Sequence, residues 1–263
     1  MAEDSAPPHA AYDPGFFAQL VYAEDRHFWF RHRNRLLAAA LGPIARKMEA
    51  PYRVLEIGCG TGNTLRVLEQ VCHGASLTGT DPFEEALAIA RRRVRCALVR
   101  AEVERLDLPG AFELIGAFDV LEHIEDDVAA VRQLRSKLAA RGRLVLTVPA
   151  HQHLWSYADE AAHHYRRYSV AQLRTTLEGA GYVVEYLTPF MSWVYPLMWV
   201  KRRMAARARQ PSEKAFALTL HDLRVIPVVN PLRLGLLAIE LPMVRRRQVL
   251  PVGTSLLAVA SPV

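Results

Sequence analysis

Seven short apolar runs recur along the chain, at 54–57, 76–80, 96–99, 114–118, 143–148, 182–187 and 253–260. Runs of that length, rich in aliphatic residues and bounded by glycine or polar clusters, read as buried strands. A helix-like segment follows the first run. After the fourth, Glu125, Asp126 and Asp127 read as a helix start, because negative charge suits the positive end of the helix dipole. Strands that alternate with helices predict an α/β fold around a mostly parallel sheet. Residues 12–42 precede the first strand and look helical, with Phe16, Phe17, Leu20 and Val21 on one apolar stripe.

The first strand runs directly into the turn Gly58-Cys59-Gly60-Thr61-Gly62-Asn63, with Glu56 just inside the strand end. Glycine there allows a sharp bend and close approach of a ligand. Asp81 closes the second strand, where a carboxylate can accept hydrogen bonds from both hydroxyls of a ribose. The pair predicts a nucleoside-containing cofactor. A dinucleotide site carries G-x-G-x-x-G over a helix N-terminus; the run here is E-x-G-x-G-x-G, which argues against NAD.

That run resembles motif I of the class I S-adenosylmethionine-dependent methyltransferases. Two further segments resemble the same family, in its UbiE/UbiG-like branch. Ala101-Glu102-Val103-Glu104-Arg105-Leu106 is similar to its G-D-A-E-x-L motif, and Asp119-Val120-Leu121-Glu122-His123 to D-V-L-E-H. The resemblance implies a Rossmann-like sheet with an antiparallel last strand, S-adenosylmethionine as cofactor and S-adenosylhomocysteine as product. It assigns cofactor contacts to Glu56, Gly58, Cys59, Gly60, Asn63, Asp81, Pro82, Glu102, Val103, Asp119 and Val120. Methyl transfer is then an in-line displacement in which alignment and exclusion of water do most of the work. His123 is the first choice of general base for a hydroxyl acceptor, with His151 and Tyr168 as further catalytic candidates; proximity alone is the alternative.

The segment 149–169 is dense in polar aromatics and ends in Arg166-Arg167-Tyr168, like the family's loop after the fifth strand. His153, Trp155, Arg166 and Arg167 are its substrate-binding candidates. Residues 24–33 mix aromatics and bases; related enzymes carry a lid there, which makes His27, Trp29 and Arg31 candidates for ligand contact. Residues 1–42 are thus expected to form a helical lid, 43–189 with 251–263 the cofactor domain, and 190–250 a helical insertion.

Composition changes the picture only at that insertion. From 201 onward eleven Lys and Arg face three acids, a surplus larger than the whole-chain charge of +6. Three roles are open to it: a cap over an apolar acceptor pocket, a dimer surface, or contact with an anionic membrane. The 15-residue apolar run 186–200 is interrupted by two prolines and is too short to span a bilayer. Three cysteines argue against a disulfide scaffold, and the histidine spacings match no zinc site, so no metal is expected. Met1 to Pro8 carry no signal-peptide pattern, the first ten residues are expected to be disordered, and a cytoplasmic enzyme follows. The expected partner is a small-molecule acceptor, with the protein a monomer or homodimer and no nucleic acid. Nucleic-acid methylation and non-catalytic cofactor binding stay as alternatives.

Overall fold

The computed structural model describes residues 14–205 and 218–263. The disorder expected of the first ten residues lies outside that range. Strands β1 (Tyr52–Ile57), β2 (Ala75–Asp81), β3 (Ala97–Arg100), β4 (Phe112–Phe118), β5 (Leu138–Pro149), β6 (Tyr182–Phe190) and β7 (Ser255–Pro262) form one sheet in the order β3-β2-β1-β4-β5-β7-β6. Every pairing is parallel except the two made by β7. The chain steps outward from β1 to β3 and then returns to β4, so the connections leaving β1 and β4 part company. That switch point opens a crevice at the carboxyl ends of the strands.

The helices that accompany the sheet among the described residues include α1 (Pro14–Arg26), α2 (Phe28–Ala45), α3 (Leu65–Val71), α4 (Glu84–Ala90), α5 (Asp127–Lys137), α6 (Tyr157–Ala161), α7 (Val170–Gly179), α8 (Tyr195–Ala205), α9 (Val229–Leu237) and α10 (Glu240–Arg245). Their apolar faces and the alternation along the strands build two cores. On one face Leu36, Leu37 and Leu41 of α2 and Leu237 of α9 meet Val54, Leu114 and Val145. On the other, Val131 and Leu134 of α5 and Leu173 and Leu177 of α7 meet Leu55, Ile115 and Leu146. Burying each of these side chains stabilises the fold by roughly 1.5–3 kcal/mol.

Local chemistry sets the helix ends. Asp126 caps α5 by accepting the Ala129 N–H at 2.9 Å, as the acidic run predicted, and Ser169 with Gln172 forms a capping box on α7. The α1–α2 break is held from far along the chain. Asn230 accepts the Phe28 N–H and donates to the Arg26 carbonyl, both at 2.7 Å, satisfying groups left unpaired where one helix stops and the next begins. Glu240, almost fully buried, accepts the N–H groups of Met191 and Ser192 at 2.8 and 2.7 Å and meets His32 at 3.3 Å. The insertion is therefore fastened to α2 by buried polar bonds as well as by packing. Among the described residues, no helix is long and apolar enough to cross a membrane.

Candidate active site

A cleft of about 1490 Å³ opens at the switch point, between the ends of β1, β2 and β4 on one side and α1, α2, α8 and the 218–230 segment on the other. Gly58, Cys59, Gly60 and Asn63 line it from the turn after β1. Gly58 has φ +63°, and a Cβ there would stand 2.6 Å from Val120 Cγ2. Gly60 has φ +53° and nothing within 4 Å of where a Cβ would be, so the turn leaves open space beside its backbone. Asp81 ends β2 with its Oδ2 on the Gly60 N–H at 2.8 Å and its Oδ1 on the Phe83 N–H at 3.0 Å. Burial pushes this carboxyl up to about 6, against the pull of those two N–H groups. Pro82, Glu102, Val103 and Val120 complete this half. An acidic strand end, a glycine turn with room beside it and the buried, unpartnered Asn63 Nδ2 fit the nucleoside and amino-acid parts of S-adenosylmethionine.

Asp119 follows β4 with φ +58°, a conformation uncommon outside glycine. Its carboxylate accepts from Arg33 Nη1 at 2.6 Å and Thr147 Oγ1 at 3.1 Å. Arg33 itself is buried, its guanidinium 5.0 Å from the Trp29 ring centre, so α2 is tied to the strand mouth by a paired, shielded charge. His27, the N-cap of α2, lines the cleft, and burial with help from Arg233 lowers it to about 4.

The cleft also gathers Glu122, His123 and His164, whose ligand-type atoms all lie within 4.8 Å of one another. Burial raises Glu122 well above the ordinary carboxylate range, and neighbouring Asp119 adds to the effect. His123 and His164 meet edge to face, 4.6 Å between ring centres. His164 Nδ1 sits 2.9 Å from Asp159 Oδ1, and Arg167 Nε donates to the same oxygen at 2.6 Å. Burial alone would raise Asp159, but His164 and Arg167 outweigh it and hold it at about 2. Sequence spacing predicted no metal; the fold nevertheless brings three potential ligands together. Glu122, Asp159 and Arg33 were missed as site residues, with only the adjacency of Glu122 to His123 pointing to one of them, and His164 was visible only as one histidine of the 149–169 segment.

Several expected site residues stand elsewhere. Glu56 is fully buried behind the turn, where it accepts the Thr64 hydroxyl, and burial raises it to about 8. Tyr168 is not in the cleft: it packs in the core, its hydroxyl donates to Asp127 at 2.7 Å, and burial raises its pKa further. His151 also lies off the cleft, stacked on His153 at 5.0 Å, and His153 Nε2 meets the Tyr195 hydroxyl at 3.1 Å. Arg31 points to solvent from α2, and Arg166 is committed to Asp127 at 2.9 Å. Tyr168, His153 and Arg166 are thus held by structural partners, whereas His151 keeps a buried Nε2 without one. Trp29, Trp155 and Arg167 do line the cleft.

A family model for the methyltransferase domain matches residues 24–187. The chain is similar to the ubiquinone biosynthesis O-methyltransferase of Pseudomonas aeruginosa (strain LESB58), 31% identical over 105 residues that make up 37% of this chain and 44% of that protein. Among solved structures it resembles phosphoethanolamine N-methyltransferase 2 of Haemonchus contortus in complex with S-adenosyl-L-methionine, with TM-score 0.61 and 15% identity over 96% of this chain and 58% of that one. It also resembles a complex of a methyltransferase with the Haloferax volcanii Trm112 methyltransferase activator, with TM-score 0.58 and 17% identity over 94% of each chain. At such identities the structural likeness speaks for the fold alone, and the chain spans less than half of its Pseudomonas relative. The family model, in contrast, takes in more than half of the chain: the protein belongs to the class I S-adenosylmethionine-dependent methyltransferases, with S-adenosylmethionine as its cofactor.

Proposed function

We propose that the protein transfers a methyl group to a small-molecule acceptor through an oxygen, nitrogen or carbon nucleophile, in the making of a secondary metabolite or lipid-like compound. The observation that carries this reading is one cleft holding both the Asp81–Gly60 corner and the Glu122–His123–His164 cluster beneath an apolar roof. When bound, the cofactor supplies an electrophilic methyl on a sulfonium. Asp81 and Glu102 would hold its nucleoside, and Gly58, Gly60, Asn63 and Asp119 its amino-acid end. His123 accepts the proton of a hydroxyl acceptor, and the aromatic residues Phe28, Trp29, Phe30 and Trp155 keep water out. His151 and Tyr168 take no part.

The protein is proposed to work in the cytoplasm, with a peripheral contact to anionic membrane. The support is an exposed face at α8, where Trp193 just ahead of the helix and Trp199 stand beside Arg203. The test of the acceptor class uses S-adenosylmethionine carrying a tritiated methyl and a crude cell extract. Label in the organic-extractable small-molecule fraction is expected. Label confined to nucleic acid or protein would end the small-molecule reading.

A further inference from the structure

The half of the cleft that the cofactor contacts leave over is built from the insertion, and it has a charge the reading above does not use. At about 1490 Å³ the cleft exceeds the roughly 300–1,000 Å³ of a one-ligand pocket, so a second molecule has room. Val194, Met198 and Arg202 recur at a spacing of four and face that space from the start of α8 onward. Arg202 is only 6% exposed, yet its Nε and Nη1 are buried with no hydrogen-bond partner. A buried cation is tolerated when it is paired, and unpaired buried donors cost stability.

The nearby carboxylate is already shared. Asp222 accepts from Lys201 Nζ at 2.6 Å and from the Tyr157 hydroxyl, and Arg202 lies over the Tyr157 ring at 5.0 Å rather than on that carboxylate. Arg233, stacked 5.1 Å from the Phe28 ring centre, and Arg224 line the same cleft, together with His27 and His221. Glu160 is the further carboxylate on this side, from the same short helix as Tyr157. Among the described residues cations therefore outnumber carboxylates here, and Arg202 is shielded from water with two unpartnered donors. Leu197, Met198, Met204, Ile226 and Val229 supply apolar surface around them.

We propose that Arg202 anchors an anion subsite, and that the molecule taken up by the insertion half of the cleft is an amphiphile bearing a phosphate or carboxylate next to an apolar chain. The guanidinium offers charged N–H donors to such a group, and the apolar wall takes the chain. This rests on the methyltransferase reading, because it assigns the subsite to the acceptor.

The test is calorimetric titration of the full chain with decyl phosphate below its micelle concentration, with decyl maltoside and with inorganic phosphate. Wild type, Arg202→Met and Arg202→Lys are compared, and each is also titrated with S-adenosylhomocysteine. Decyl phosphate is expected to bind wild type at least tenfold more tightly than either control. Arg202→Met should weaken it at least tenfold, the scale of a lost charged hydrogen bond, and Arg202→Lys should weaken it less. Unchanged decyl phosphate binding in Arg202→Met overturns the subsite, as does equal binding of the maltoside. Inorganic phosphate binding as tightly as decyl phosphate overturns the amphiphile. S-adenosylhomocysteine separates the two levels: its binding survives if the subsite alone is wrong, and fails in wild type if the methyltransferase reading is wrong. Thermal unfolding of Arg202→Met tells a structural arginine from a binding one: a level melting temperature assigns the lost affinity to the subsite, and a large drop assigns it to structure and overturns the anchor.

Discussion

Gly58 and Gly60 stand two residues apart in one turn, yet an added methyl group should fail at them in different ways. At Gly58 the backbone is left-handed, which costs an L-residue roughly 1–2 kcal/mol. The methyl would also lie 2.6 Å from Val120 Cγ2, and such overpacking costs about 1–3 kcal/mol more. Gly58→Ala is therefore expected to lose about 2–5 kcal/mol of stability, measured by urea unfolding followed through tryptophan fluorescence. At Gly60 only the backbone term of roughly 1–2 kcal/mol applies, because nothing lies within 4 Å. That methyl occupies open space at the cleft wall, so Gly60→Ala should weaken S-adenosylhomocysteine at least tenfold, about 1.4 kcal/mol, in calorimetric titration. The overlap at Gly58 can be isolated in a cycle with Val120→Ala: the coupling should be favourable by about 1–3 kcal/mol, since the shorter side chain vacates the contested volume. Equal stability losses at the two glycines, or full ligand affinity in Gly60→Ala, would refute the reasoning.

Asp81→Asn keeps the shape of the strand end but removes its charge, and S-adenosylhomocysteine should bind about tenfold or more weakly by calorimetry. Arg33→Met strips Asp119 of its buried partner and should cost about 3 kcal/mol in urea unfolding, with Arg33→Met/Asp119→Asn costing less than the single change. Glu56, with an ordinary carboxyl value in the unfolded chain and about 8 when folded, binds more protons in the fold between those limits. Stability should therefore be full at low pH and fall as pH rises from about 4.5 to 8. Glu56→Gln should flatten that slope, and an unchanged pH profile would remove the assignment. Wild type should sediment with phosphatidylglycerol vesicles several-fold more than Trp193→Ser/Trp199→Ser; equal sedimentation would dispose of the membrane contact.

The strands and the turn after β1 were legible because their cause is local. Alternation and glycine spacing act within ten residues, and each of the seven expected strands appears, five of them lengthened and β3 and β7 shifted by one or two residues. The cofactor half of the cleft is legible for the same reason, since Gly58, Gly60, Asp81, Glu102 and Asp119 each sit at the end of a strand or in the loop after it. Side-chain roles in the loop 149–169 were not. Tyr168 and Arg166 look available in sequence, yet both are drawn to Asp127, a helix-start residue some forty positions earlier.

What the loop does offer came from one local pairing and one distant one. His164 gains its orientation from Asp159, and its neighbour His123 from a different strand end. The helix α2 depends on contacts more distant still. Asn230 and Glu240 grip α2 from two hundred residues away, so the segment with the aromatic and basic residues is held by the insertion rather than by its own sequence. This packs α2 and the insertion together over the strand ends. Arg33 of the same helix pairs with Asp119 at the mouth of the cleft. Acceptor and cofactor then meet across contacts that only the folded chain supplies.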